Sequence, residues 1–223
     1  MSRSLYSLIL SDRVVEAIDR EAYLQQSNRS RLIERILAEY AGVETKEAQV
    51  REMMEEIAKR LSAQKHIQVL PNRETQSLVY QAPIRFKYNP TLRYRLEWQE
   101  IDGDHQAVLK IFSRTTSRSL ADALETFFLQ MNRWETEYVP FMQGENCLYR
   151  NEGKGTIQFV KILYVGSSAY EEVSRLISRY LRLLNTAIEQ YFSSDDPVIR
   201  EKRGREVLSR WGEEIRKEAN RWK

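Results

Sequence analysis

Histidine and cysteine, the types that most often mark a catalytic or metal site, number only three in this 223-residue chain, and their spacing decides what they can do. The histidines, His66 and His105, stand alone, without the cluster of His, Cys or carboxylate ligands that a metal ion needs. His105 belongs to Asp102-Gly103-Asp104-His105, which is the signature of a hairpin turn. The single cysteine, Cys147, has no histidine near it in sequence to serve as its base. Gly153-Lys154-Gly155-Thr156 lacks both the leading glycine and the Lys-Ser/Thr ending of a phosphate loop, so it too reads as a turn. No catalytic residue, metal or cofactor is expected, and the chain is not read as an enzyme.

Two stretches have the composition of a nucleic-acid surface. The run from Phe86 to Trp98, FKYNPTLRYRLEW, interleaves basic and aromatic residues as a base-stacking surface does. Period-two alternation explains it more simply. Arg93, Arg95, Glu97 and Gln99 fall on one face and Tyr94, Leu96 and Trp98 on the other, the pattern of a half-buried strand. From Val198 onward nine Lys and Arg stand against five acids, with Val207, Leu208, Trp211, Ile215 and Trp222 on the apolar side. An ordinary docked helix is expected there.

Composition bounds the class. With 42% hydrophobic and 30% charged residues the chain reads as globular and able to bury a core. No apolar run approaches the ~20 residues that cross a bilayer, and the N-terminus lacks a signal-peptide pattern, so no membrane association and a cytoplasmic location are expected. One cysteine excludes an intrachain disulfide framework. A net charge of +3 gives a weak overall field, so affinity for nucleic acid must come from local patches. Even the first 42 residues are balanced, with six arginines against six acids.

The elements follow from periodicity. Residues 3–10 carry Leu5, Tyr6, Leu8, Ile9 and Leu10, large groups on both faces, as in a strand covered on both sides. Ser11 offers a hydroxyl N-cap and Asp12 a carboxylate at the positive end of a helix that runs to about Gln25. A second helix spans Arg29–Tyr40, started by Ser27-Asn28 and ended by Gly42. A third, amphipathic helix over 45–61 reads as a linker. Strands are then expected at HIQVL (66–70), SLVYQAPIRFKY (77–88), TLRYRLEWQE (91–100) and AVLKIFSR (107–114), the last two joined by the Asp-Gly turn. A helix follows over 120–134, then strands CLYR and TIQFVKILY. Two helices close the chain, near 169–192 and 198–222, with Pro197 suited to the first position of the second. The fold class is α+β: a unit at 1–43, a linker helix at 44–63, and an α+β domain at 64–223 with a mainly antiparallel sheet.

A lone N-terminal strand leaves its backbone groups unpaired, and the nearest candidate partner is a second copy of itself. A short strand, a helix, a turn with an N-capping Asn and a second helix resemble the ribbon-helix-helix family, the Arc/MetJ (CopG-like) type of DNA-binding domain, over residues 3–42. Leu10-Ser11-Asp12 match its strand-to-helix junction and Asn28-Arg29-Ser30 its second-helix start. The resemblance implies an intertwined homodimer whose strands pair antiparallel. Tyr6, Leu8, Leu10, Val14, Ile18, Leu32, Ile33 and Ile36 would form the dimer core. It further implies double-stranded DNA as partner, with Arg3, Leu5, Ser7 and Ile9 toward base edges and Asn28, Arg29 and Ser30 on phosphate. Here the sequence departs from type. The family places hydrogen-bonding side chains on the outer ribbon face, whereas Leu5 and Ile9 can meet only thymine methyls.

The expected function is a homodimeric transcriptional regulator, with residues 64–223 sensing a ligand or protein or adding oligomer contacts. The alternatives are a dimeric scaffold that uses the fold only to pair, and an antitoxin-like regulator.

Overall fold

The computed structural model describes residues 5–25, 27–72, 74–101, 104–138, 150–151, 157–164 and 169–221. Arg3, Cys147, the Asp102-Gly103 turn and the 153–156 turn lie outside them. The chain divides into two compact units, residues 1–49 and 50–223. No helix among the described residues is long and apolar enough to cross a membrane.

The N-terminal unit holds α1 (Asp12–Leu24) and α2 (Arg29–Ala41), with the start of α3 (Lys46–Ser62). Ser11 stands at the N-cap of α1 in extended conformation, but its hydroxyl makes no capping bond; its carbonyl accepts from the amides of Val14 and Val15 at 2.9 and 3.1 Å. Asn28 does cap α2, its Oδ1 accepting from the Arg31 amide at 2.9 Å. Gly42 ends α2 with φ at 65°, a conformation that a residue without Cβ takes at no steric cost.

The strand expected at 3–10 is not formed: residues 5–10 have no regular structure, and the sheet strands come only after three helices. The physical reason is pairing. A strand is defined by a ladder, and no described strand pairs with residues 5–10.

The C-terminal unit is α+β. Six strands, β1 (Gln68–Leu70), β2 (Ser77–Pro83), β3 (Thr91–Ile101), β4 (Asp104–Ser113), β5 (Arg150–Asn151) and β6 (Ile157–Tyr164), form one antiparallel sheet in the order β1-β2-β3-β4-β6-β5. The β3–β4 register, from Leu92 opposite Ser113 to Ile101 opposite Asp104, leaves two residues for the connection, as the Asp-Gly pair requires. β2 stops at Pro83, short of the expected 88. Beyond it the chain folds back, with the Ile84 amide donating to the Pro90 carbonyl at 2.9 Å and Tyr88 and Asn89 at φ of 69° and 44°. Left-handed residues cannot continue a pleat.

One face of the sheet supplies the core: Leu78, Tyr80 and Ala82 of β2, Leu92, Tyr94, Leu96 and Trp98 of β3, Ala107, Leu109 and Ile111 of β4, and Phe159 and Leu163 of β6 are all buried. They belong to one apolar cluster with α4 (Arg118–Tyr138), α5 (Tyr170–Tyr191) and α6 (Pro197–Arg221). Phe128 of α4 lies against Phe159 with ring centroids 4.1 Å apart. Pro197 takes the first position of α6, where its missing N–H costs nothing. The helix expected as a linker does more than connect. Val50, Met53, Met54, Ile57 and Leu61 of α3 are buried in this same cluster.

Candidate nucleic-acid interface

The surface to be weighed is the start of α2 and what surrounds it. A helix leaves its first amides without intrahelical acceptors. In α2 the Asn28 side chain takes the Arg31 amide and the Asn28 carbonyl takes that of Leu32, while the amides of Arg29 and Ser30 have no hydrogen bond to any described residue. Asn28, Arg29 and Ser30 are all exposed. The helix dipole adds positive potential at this end.

The Arg29 guanidinium is already engaged. Its Nε donates to Asp19 Oδ1 of α1 at 2.7 Å and its Nη2 to the other carboxylate oxygen, a bidentate clasp between the two helices. These bonds hold the Asp19 carboxyl below its ordinary range. For Arg29 to pair with phosphate it must leave Asp19. A contact between residues ten apart, on different helices, has no local sequence signal. Arg31, two residues on, is exposed and makes no ion pair with any described residue.

The described residues expected on the ribbon, Leu5 to Leu10, are all exposed, whichever face they were assigned to. Leu5 and Ile9, assigned to base edges, are 99% and 102% accessible, and Ser7 is exposed with them. Of the expected dimer core, Tyr6, Leu8, Leu10, Val14 and Ile36 are exposed, Ile18 and Ile33 half-buried, and Leu32 alone buried.

In the C-terminal unit the Thr91–Trp98 part of the FKYNPTLRYRLEW stretch is the half-buried strand, and residues 86–90 form the fold-back before it, with Tyr88 exposed. Tyr94 and Trp98 point into the core, and Tyr94 stacks on Tyr80 with ring centroids 4.4 Å apart, so neither ring is available to a base. Arg93 and Arg95 take the opposite face. The sequence reading passed over a buried polar group: Lys161 of β6 donates to Glu135 of α4 at 2.6 Å, and Tyr180 of α5 donates to the other Glu135 oxygen at 2.7 Å. Lys161 shares its parity on β6 with Phe159 and Leu163, and that alternation is the signal that placed it inward.

Compared with known families, curated proteins and solved structures, the chain matches no family model, no curated protein and no solved structure.

Proposed function

We propose that the chain is a homodimeric ribbon-helix-helix DNA-binding protein, a transcriptional regulator, whose C-terminal α+β unit senses a ligand or adds oligomer contacts. One observation carries the reading: an apolar, strand-prone segment precedes two helices that, among the described residues of 5–49, bury only Ala22 and Leu32. Leu5, Tyr6, Leu8, Ile9, Val14 and Ile36 are left in solvent by a single copy. Covering a side chain of this size is worth about 1.5–3 kcal/mol. A second copy supplying an antiparallel strand covers the inner row and pairs the backbone at once.

DNA contact rests on the open amides of Arg29 and Ser30 and on Arg31 beside them. The outer row of Leu5 and Ile9 shifts the burden from base reading to backbone anchoring. The rival reading is a scaffold that only dimerises, and it is favoured by the Asp19–Arg29 clasp, which occupies a cation that DNA would use.

Titration of the protein with random and with genomic duplex DNA over a range of salt separates the two. The regulator is expected to lose affinity steeply, with a log–log slope near −0.9 for each phosphate neutralised, and to prefer some genomic fragment over random duplex. A flat, weak response would leave the scaffold.

A further inference from the structure

The face of the sheet turned away from the core carries a pattern of its own. Cross-strand register sets Gln81, Arg93, Phe112 and Gln158 side by side across β2, β3, β4 and β6. The neighbouring row on the same face is Val79, Arg95, Lys110 and Val160. Charges in that second row are cancelled by nearby acids. Lys110 donates to Glu97 at 2.7 Å, and Arg95 pairs with Glu97 at 2.8 Å and also with Glu74.

The first row is not neutralised. Arg93 is exposed and makes no ion pair with any described residue, and the same holds for Arg114, just past the end of β4. Both line one concavity of about 570 Å³, together with Phe112, Gln81 and Gln158. That volume is in the range of small-molecule sites, and an aromatic surface with a few converging polar groups is what such sites offer. Two guanidinium forks match the planar oxygens of a carboxylate or the oxygens of a phosphate, and a phenyl ring favours a planar partner.

We propose that this groove binds a small planar anion, an aromatic or heteroaromatic carboxylate or phosphate, whose charged group lies on Arg93 and Arg114 and whose ring lies on Phe112. The juxtaposition of two uncancelled cations with one aromatic ring carries it, next to a row of the same sheet where every cation has an acid. The ligand would be what the C-terminal unit senses, but its binding does not depend on DNA, so the test contains none and its failure leaves the DNA-binding reading where it stood.

The probe is 8-anilinonaphthalene-1-sulfonate, an aromatic monoanion with a planar naphthalene ring, titrated into the full chain and followed by fluorescence. The double substitution Arg93→Ala with Arg114→Ala is expected to raise its dissociation constant about tenfold or more, the scale of charge-assisted hydrogen bonds. Phe112→Leu is expected to weaken it while keeping the site apolar, and N-phenyl-1-naphthylamine, the uncharged relative of the dye, is expected to bind more weakly than the dye. Arg93 and Arg114 are exposed, so the double variant is expected to keep its unfolding temperature, which is measured alongside. Displacement of the dye by salicylate assigns the carboxylate form of the ligand, and displacement by adenosine 5′-monophosphate the phosphate form. Dye bound equally by the double variant belongs to apolar surface elsewhere and overturns the proposal. So do equal affinity for the uncharged relative, displacement by neither competitor at millimolar concentration, or dye binding lost on raising the protein concentration, which would put a second copy on this face.

Discussion

Lys161 and Glu135 are a charged pair inside an apolar core, and the cost of removing each from water governs how they respond to pH. Both are almost wholly buried, at 1% and 5% accessible, and the pair ties the sheet to α4 while the Tyr180 hydroxyl adds α5. Burial holds the Glu135 carboxyl above its ordinary value, although Lys161 and Tyr180 both pull it down. A raised carboxyl means the folded state binds the proton more tightly than the unfolded chain. Its contribution to stability is therefore present at low pH and is lost as pH rises from the ordinary carboxylate range through the raised value. Replacing Lys161 with Met leaves the carboxylate without its cation and is expected to cost about 3–5 kcal/mol near neutrality. The loss should shrink as pH falls, since Glu135 can then take a proton. Urea unfolding of this variant at pH 5 and pH 8 checks it, and an equal loss at both would contradict the assignment. Replacing the pair together, Lys161→Met with Glu135→Leu, is expected to cost less than Lys161→Met alone, because no charge is left buried and only the Tyr180 hydroxyl loses its acceptor. Asp19 poses the opposite case, an exposed acid that holds a cation which the proposed DNA contact would use. Asp19→Asn releases Arg29, so DNA affinity is expected to rise and the salt slope to steepen by about one unit, read from the same titration that tests DNA binding.

At the scale of elements, α4 and α6 approach too closely for side chains at two points. A Cβ on Gly204 would lie 2.6 Å from Cη2 of Trp134, and one on Gly212 would lie 2.5 Å from the backbone carbonyl oxygen of Tyr138. In an open helix, glycine to alanine gains up to about 1 kcal/mol. Here the sign is expected to reverse at both positions, with Gly212→Ala the worse, because an indole ring can shift by tenths of an ångström and a helix carbonyl cannot. Thermal unfolding of the two variants measures this, and stabilisation by either would mean the helices stand further apart. Such crossings were not legible in the sequence, where both glycines look like helix-weakening residues on an amphipathic pattern. What was legible is what repeats locally. The periods of α1, α2 and α5, the Asn28 cap and the Asp-Gly hairpin are set by neighbours within four residues or by one ladder. The left-handed Tyr88-Asn89 pair that ends β2, the acid for Lys161, the clasp on Arg29 and the burial of α3 all depend on tertiary neighbours. Residues 5–10 show the limit most plainly, because their composition fits a strand and no described strand pairs with them.

At the scale of the molecule, the two units differ in what they need. Every member of the main apolar cluster lies at Val50 or beyond, so the C-terminal unit contains its whole core. A fragment starting at Glu44 keeps the start of α3 as well, including Thr45, whose hydroxyl accepts from the Ala48 amide at 3.1 Å. That fragment is expected to fold alone and to scatter light as a monomer. The N-terminal unit has no comparable core in one copy, and in the full chain it is expected to form a dimer through residues 3–10. Leu8→Asp tests the pairing directly, since a carboxylate set into the inner row would be buried with no partner. The variant is expected to be monomeric at micromolar concentration, with the thermal transition of the 44–223 fragment kept. A dimeric fragment would move association to the C-terminal unit, and a dimeric Leu8→Asp chain would put Leu8 on the outer row, one residue out of register with the pairing argued here.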